Sequence, residues 1–357
     1  MNILRFLLYP FGLIYGILLM LRNKMYDWGI FKATSFDIPI ISVGNLSVGG
    51  TGKTPHVEYL IRLLSDEYKI AVLSRGYKRK TKGFKIADDN STVADIGDEA
   101  LQINKKFKNI LVAVDENRVN GIRKIKKQYP NIEVIILDDA FQHRSVKPGL
   151  SILLTDFHKL YTSDYILPVG KLREFRAGAS RADIIIVTKT MRPLSPILAR
   201  DLNDTIKPLS HQQLFYSYIN YLPLRPTTLT DKNQLAHKIS SVLIFAGIEN
   251  IYPLLDHVSR MVNYMEYLKF SDHHLYSERD LNLIREKFDN LLGKDKIIIT
   301  TEKDIVRLIC PQVPAQLVDV PLFYLPIEIK IHNEYSKEFN NKIKDYVRKN
   351  RKDTTIH

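Results

Sequence analysis

Residues 39–55 read PIISVGNLSVGGTGKTP. An apolar, strand-like run, Pro39–Leu46, stops in a glycine-rich turn, and a helical pattern starts at Pro55. A buried strand that ends in such a turn and restarts as a helix makes a phosphate cradle. The backbone N–H groups of Gly49, Gly50, Thr51 and Gly52 can converge on an anionic oxygen because three of these four residues lack a side chain. Lys53 supplies a mobile point charge for β/γ-phosphates, and the Thr54 hydroxyl suits a Mg²⁺ ligand. The helix over Pro55–Ser65 would point its positive dipole end at the nucleotide. The strict G-x-x-x-x-G-K-[ST] pattern asks for glycine where this chain has Ser47. A bare Gly-Lys-Thr is weak evidence. The strand before it and the helix after it supply the context that the motif requires. A turn without a ligand would leave the glycines and the Lys-Thr pair unexplained.

Outward from this turn, apolar runs alternate with helical patterns between residues 38 and 190. Strands are expected at Ile38–Val43, Lys69–Leu73, Ile110–Val114, Glu133–Leu137, Leu150–Leu154 and Asp183–Thr188, and helices at Pro55–Ser65, Glu99–Lys106, Glu116–Gln128 and Pro193–Asn203. Short, near-continuous apolar strands between helices predict an α/β fold whose mostly parallel sheet is covered on both faces, a P-loop NTPase-like core. Ligands bind such sheets at the carboxyl ends of the strands. From about Leu209 the pattern changes. Gln213–Leu222 is aromatic and alternating, which suggests an exposed antiparallel strand, and the polar stretch to Asn233 reads as linker. A second, smaller α/β unit follows, with strands at Ser241–Ala246, Tyr264–Phe270 and Lys296–Thr300. Leu322–Ile329 could pair with 213–222 as a two-stranded linker between the domains, and Glu334–Arg348 looks like a closing helix before a fraying tail. The expected division is an N-terminal membrane-associated helix at 1–30, the P-loop core at 31–210, a linker at 211–235, the smaller domain at 236–330 and the C-terminal helix and tail at 331–357.

The 357 residues carry a net charge of +13. That balance suits a polyanionic partner: nucleic acid, anionic lipid or a phosphorylated substrate. No nucleic-acid module or aromatic-interleaved basic stripe is present, so nucleic acid is not expected. Cys310 is the only cysteine, which excludes a disulfide framework and a cysteine-based metal site. Phe6–Leu21, FLLYPFGLIYGILLML, is uncharged between Arg5 and Arg22. It falls short of the ~20 apolar residues that a spanning helix needs, and Pro10 and Gly12 interrupt it. No small-residue cleavage site follows it. A helix lying in one leaflet is the preferred reading, with aromatic rings near the headgroups and Arg22 and Lys24 near anionic lipid. A buried core helix and a true span are the alternatives.

The chemistry-bearing residues cluster after expected strands. Asp138 and Asp139 end the apolar run Val134–Leu137, and a strand-end Asp holds Mg²⁺ in P-loop enzymes. Gln142 and His143 follow within one turn and could reach the same site or simply face solvent. Arg75 leaves the end of the second strand and would face the crevice. Asp98, in Gly97-Asp98-Glu99, reads equally as an N-cap of the next helix or as the general base a kinase needs. Asp272-His273-His274 suggests a metal at first glance, but adjacent residues rarely turn to one centre; a histidine tuning a carboxylate and a plain surface loop remain. Ser277 and Asp280 form a capping-box-like helix start. Lys303 and the stretch Leu167–Arg176, with Arg173 and Glu174, are further candidates for phosphate, membrane or solvent.

Taken in order, these segments resemble one family, the tetraacyldisaccharide 4′-kinases. The resemblance rests on Gly44-Asn45 with GGTGKTP at 49–55, SRGY at 74–77, Gly-Asp-Glu at 97–99, DDAFQH at 138–143, LPVGKLRE at 167–174, FAGI at 245–248, FSDHH at 270–274 and TEKD at 301–304. It covers roughly residues 1–330. The family's loop also lacks the first glycine, so Ser47 fits it. Ala140 departs from the glycine expected there but removes no functional group. The resemblance implies an ATP- and Mg²⁺-dependent lipid kinase that phosphorylates the 4′-hydroxyl of a tetraacyl glucosamine disaccharide 1-phosphate in lipid A biosynthesis. It implies Asp98 as base and His273 as the residue that positions or tunes it. It implies Asp138, Asp139 and Thr54 at the Mg²⁺ site and Gly49–Thr54 around the phosphates. Arg75, Gln142, His143, Arg173 and Glu174 stand as second-rank substrate residues. The expected setting is the anionic cytoplasmic face of the inner membrane, with the protein a peripherally attached monomer. The rival reading is a membrane-associated switch ATPase of the partitioning type; those proteins carry lysine before the paired glycines, where this chain has Val48. A membrane adaptor with a relic nucleotide site is less compatible with intact Lys53, Thr54 and Asp138.

Overall fold

The computed structural model describes residues 3–227, 239–293, 295–308 and 314–351. In chain order its elements are α1 (Ile3–Asp27), β1 (Ile40–Asn45), α2 (Lys53–Leu64), β2 (Ile70–Ser74), β3 (Lys85–Ile86), α3 (Val93–Ile96), α4 (Asp98–Lys106), β4 (Leu111–Val114), α5 (Arg118–Gln128), β5 (Val134–Asp138), β6 (Leu150–Asp156), β7 (Ile184–Thr188), α6 (Pro196–Ile206), β8 (Gln213–Tyr221), β9 (Arg225–Pro226), β10 (Ser241–Ala246), α7 (Tyr252–Ser259), β11 (Tyr264–Lys269), α8 (Glu278–Asp289), β12 (Lys296–Thr301), α9 (Glu302–Leu308), β13 (Leu322–Leu325), β14 (Ile327–Ile331) and α10 (Asn333–Asn350).

Two sheets carry the molecule. The larger has nine strands in the order β14-β8-β7-β6-β1-β5-β2-β4-β3. All its inner pairings are parallel; only β14 against β8 and β3 against β4 are antiparallel. The apolar runs are buried from end to end because helices cover both faces. Ile41 and Val43 of β1 pack with Val57, Leu60, Ile61 and Leu64 of α2 and with Phe339, Ile343 and Val347 of α10. Ile40 turns the other way, into the layer that holds Ile122 and Ile125 of α5. The smaller sheet runs β11-β10-β12-β13-β9, parallel except for β9. Its core lies on both faces, around Phe245 with Ile284 and around Ile244 with Val258.

The structure departs from the sequence reading at the junction. The segment 211–235, expected as linker, begins with β8, which is a full member of the large sheet. It pairs parallel with β7 and antiparallel with β14, and Phe215–Tyr218 are buried. Phe215 and Tyr216 enter separate apolar cores, so the strand is covered on both faces and is not a free edge. The run 322–329 is not one strand: Pro326 separates β13, in the small sheet, from β14, in the large one. Two crossings therefore join the domains, β8 to β9 and β13 to β14. The polar stretch 228–238 and the tail 352–357 lie outside the described residues.

The N-terminal helix runs further than its apolar core, with Pro10 inside it. Gly12 and Gly16 are buried, while Leu7, Phe11, Ile14 and Leu18 are exposed. Among the described residues no helix is long and apolar enough to cross a membrane.

Candidate active site

Both sheets turn the carboxyl ends of their parallel strands toward one cleft of about 1440 Å³. From the large sheet come the turn after β1, the Asp138-Asp139 pair at the end of β5 and Arg75 after β2; from the small one come the loops after β10 and β11 and the start of α9. Tyr15, Leu19, Arg22 and Asn23 of α1 complete the wall.

The glycine turn is held from below. The Asn45 amide donates to Thr51 Oγ1 at 2.7 Å, and Thr188 Oγ1 donates to the Thr51 carbonyl at 3.0 Å. Gly52, at φ 87°, adopts a left-handed conformation that favours glycine and leads straight into α2. His56 Nδ1 donates to the Gly52 carbonyl at 2.7 Å. Burial holds the His56 imidazole down to about 4, so it stays neutral.

Lys53 Nζ lies 3.8 Å from Asp139 Oδ1, and Arg173 Nη1 donates to both Asp139 oxygens at 3.0 and 3.1 Å. Burial would raise the Asp139 carboxyl, but Lys53 and Arg173 hold it below its ordinary value. Asp138 is the opposite case. Burial pushes its carboxyl up, the Glu99 and Asp139 charges add to this, and Lys53 and Arg118 oppose it. Both Asp138 oxygens and Thr54 Oγ1 are buried with no hydrogen-bond partner. Orphaned buried oxygens at a phosphate turn are costly unless something fills them, and a hard divalent cation takes such oxygen ligands. The donor set therefore fits Mg²⁺ held by Thr54 and Asp138, with Asp139 beside it. Among the described residues no group of three or more His, Cys, Asp or Glu forms a metal cage. This is the usual arrangement for Mg²⁺, which keeps waters and substrate phosphates as ligands.

Across the cleft, Asp98 opens α4. It is not the N-cap: Gly97, at φ 84°, occupies that position, which leaves the carboxylate free for other partners. Its Oδ2 accepts from His273 Nδ1 at 2.6 Å and from Arg307 Nε and Nη2 at 3.1 and 2.5 Å. Burial works to raise the Asp98 carboxyl; the His273 hydrogen bond and the Arg307 charge outweigh it and hold it well below the carboxylate range. Asp98 is only 7% exposed and contacts His273, which lines the cleft. His273 and Asp139 both sit at positive φ, 57° and 49°, where a non-glycine residue costs of order 1–3 kcal/mol. Strain of this kind collects at functional sites. His274 turns away to Asp280, in the capping box of α8.

The second-rank residues also line the cleft. Gln142 donates to the Asn45 carbonyl at 2.8 Å and Glu174 Oε1 at 3.2 Å. Glu174 is buried and fully engaged, accepting from Asn23 of α1 at 2.8 Å and from Arg181 at 2.7 Å. It ties the N-terminal helix to the site. His143 is lowered to about 4 by burial and by the Arg118 and Arg75 charges. Arg75 is exposed.

Three residues were missed from sequence. Arg118 is fully buried and donates to the Asp115 and Asp138 carbonyls at 2.6 and 3.3 Å; in sequence it sits inside an ordinary basic helix. Arg307 gave no local signal either. Glu249 did: it follows FAGI at the carboxyl end of a strand. Its Oε2 accepts from the Gly50 N–H at 2.5 Å, and its other oxygen pairs with Lys171.

This geometry has relatives. A family model described as tetraacyldisaccharide-1-P 4′-kinase matches residues 4–348. The chain belongs to that family. It is 44% identical over 360 residues to the tetraacyldisaccharide 4′-kinase of Bacteroides thetaiotaomicron, covering 98% of this chain and 95% of the relative. It is 46% identical over 355 residues to that of Phocaeicola vulgatus, covering 98% and 97%. Among solved structures it is similar to the crystal structure of LpxK from Aquifex aeolicus in complex with ATP, with a TM-score of 0.73 and 28% identity over 97% of this chain and 99% of that one. The mostly parallel core with a smaller α/β domain is the architecture of this family.

Proposed function

We propose that this kinase transfers the γ-phosphate of ATP to the 4′-hydroxyl of a tetraacyl glucosamine disaccharide 1-phosphate, a step of lipid A synthesis at the cytoplasmic face of the inner membrane. The observation that carries the proposal is a single cleft. Its wall includes the phosphate turn, His273, which hydrogen-bonds Asp98, and part of the apolar N-terminal helix.

The reaction forms a bond between the 4′-oxygen and Pγ and breaks the bond from Pγ to the bridging oxygen, which leaves with ADP. The hydroxyl proton passes to the Asp98–His273 unit. Lys53 and the N–H groups of Gly49–Gly52 hold the β/γ-phosphates, and their fixed charge matters because phosphoryl transfer is catalysed chiefly by positioning and electrostatics. Mg²⁺, when bound at Thr54 and Asp138, neutralises charge on those phosphates. Glu249 occupies the anion position beside Gly50, so ATP must displace its carboxylate. Arg75 and Arg173 provide cationic surface for the 1-phosphate. The exposed apolar side chains Leu7, Phe11, Ile14 and Leu18, with Trp28 just past the helix at 67% exposure, support a seat for α1 in the outer part of a leaflet beside the acceptor.

Purified protein mixed with γ-labelled ATP, Mg²⁺ and detergent-dispersed acceptor should label the lipid at the 4′-position, and Lys53→Ala should abolish the label. Label released only as free phosphate would favour a switch ATPase instead.

A further inference from the structure

We propose that Arg307 is a positioning residue for this reaction: brought by the small domain, its guanidinium fixes the Asp98 carboxylate, so that Asp98 and His273 form one proton-accepting unit only while the two domains touch. This deepens the reading above and rests on Asp98 as the proton acceptor.

The argument starts from the donors. The Arg307 side chain is 1% exposed, and an uncompensated guanidinium at that depth is strongly disfavoured. Each end of its fork has a partner. Nε and Nη2 reach Asp98 Oδ2, and Nη1 reaches the Gly247 carbonyl at 3.2 Å and Asp304 Oδ1 at 3.1 Å. Asp304 is itself fully buried and pinned: Tyr276 OH donates to Oδ1 at 2.9 Å, Thr301 Oγ1 to Oδ2 at 2.6 Å and the Gly247 N–H to both oxygens. Of this chain of groups, only Asp98 belongs to the large domain. Tyr276, Asp304, Arg307 and His273 all come from the small one. A planar fork held at its far end defines the position of the carboxylate it grips.

The same helix pair carries two more contacts across the boundary. Lys106 of α4 pairs with Glu302 of α9 at 2.7 Å, and Glu99 lies 3.6 Å from Lys303. Ion pairs thus run along the meeting of α4 and α9, beside Val306 packed on the large-domain core, with Arg307 at the end next to Asp98. Oδ2 of Asp98 is taken by His273 and Arg307. Oδ1 accepts only the Glu99 N–H, at 3.0 Å, and retains a lone pair for the acceptor's proton. The titratable and charged groups around Asp98 are His273, with Asp272 beside it, from the loop before α8; Arg307 and Lys303 from α9, with Asp304 behind Arg307; and Glu99 on its own helix.

The test uses the full chain in detergent micelles with Arg307→Met, Arg307→Gln, Arg307→Lys and Asp98→Asn, reading kcat, both KM values and the pH dependence of kcat. Arg307→Met should lower kcat about 100-fold, within the range general bases contribute, with KM for ATP within about twofold. Its acid limb should move to higher pH, because activity requires ionised Asp98 and Arg307 favours that form. Arg307→Lys should keep the limb in place and recover part of kcat. Arg307→Gln keeps donors without charge, and it supplies the same limb measurement if Arg307→Met does not fold. A fall in kcat with an unmoved limb in the charge-free variants, or wild-type kcat in both, overturns the positioning role while Asp98→Asn remains inactive. Wild-type kcat in Asp98→Asn overturns the base assignment itself.

Discussion

Replacing Gly16 by leucine tests whether the N-terminal helix is part of the acceptor site. Gly16 is buried where α1 crosses the loop after β6. A Cβ built there would lie 2.3 Å from Phe175 Cζ and 2.8 Å from Ile166 Cδ1, far inside van der Waals contact. Ile166 belongs to a buried cluster with Leu46, Leu153 and Leu172, so its retreat is blocked. Overpacking of this kind costs about 1–3 kcal/mol. Relieving it by lifting the helix gives up the Asn23–Glu174 hydrogen bond at 2.8 Å, and a bond to a charged acceptor contributes about 1.5–3 kcal/mol. The half-exposed Arg144–Asp27 pair adds little. Either route moves Tyr15, Leu19, Arg22 and Asn23 off the cleft wall while the phosphate turn stays in place. At about 1.4 kcal/mol per decade, kcat/KM for the tetraacyl acceptor should fall about 10–100-fold in Gly16→Leu. ATP affinity should change less than about twofold. Steady-state kinetics in mixed micelles, with nucleotide binding by calorimetry, separates the two. Unchanged lipid kcat/KM in a folded variant, or an equal loss of ATP affinity, would refute the assignment of α1 to the acceptor site.

Lys53→Met should leave the fold intact and cut kcat by about 10²–10³-fold, the scale of losing one transition-state donor, as read by label transfer from γ-labelled ATP. Glu249→Ala removes the carboxylate that competes for Gly50 and frees Lys171, so KM for ATP should fall about two- to tenfold, an order set by one charge-assisted hydrogen bond; an increase would mean that Glu249 binds the nucleotide instead. His143 is kept neutral to about pH 4 by burial and the Arg118 and Arg75 charges. Its folded value is below the unfolded one, so the unfolded chain takes up the proton first, and stability is lost as pH falls from about 6.5 to about 4. Up to roughly 2–3 kcal/mol is at stake. His143→Gln should flatten the urea midpoint across that window, and an unchanged midpoint profile would count against the burial argument.

The fold was legible where one physical rule acted alone. The six strands of the core and the turn at Gly49–Thr54 showed as apolar runs with breaks, because both faces of a parallel sheet are covered. At β8 the strand and its antiparallel pairing with the later run were legible, but its burial within the large sheet was not, and Pro326 hides a change of sheet inside one apolar run. The site divided in the same way. Lys53, Thr54, Asp138 and Asp139 stand next to strand ends, so their place follows from local pattern. Asp98 and His273 are 175 residues apart and locally look like a cap and a loop; only the ordered set of motifs brought them together. Arg307 and Arg118 could not be read at all, since a buried arginine is defined by partners on other elements and not by its own neighbours in sequence.

That contrast bears on how the enzyme works. The residues legible from local sequence form the nucleotide half, which one sheet builds by itself. The residues that tertiary contacts supply form the acceptor half: Asp98 from the large domain, His273 and Arg307 from the small one. Among the described residues two chain crossings join the domains, and the contact between α4 and α9 combines ion pairs with Val306, which packs against both domain cores. On the proposed mechanism, then, phosphate binding draws on one domain and proton removal on two. Under that division, ATP bound while the domains are apart would have no acceptor pair assembled beside it, and the γ-phosphate would be guarded against water until the lipid and the small domain arrive together.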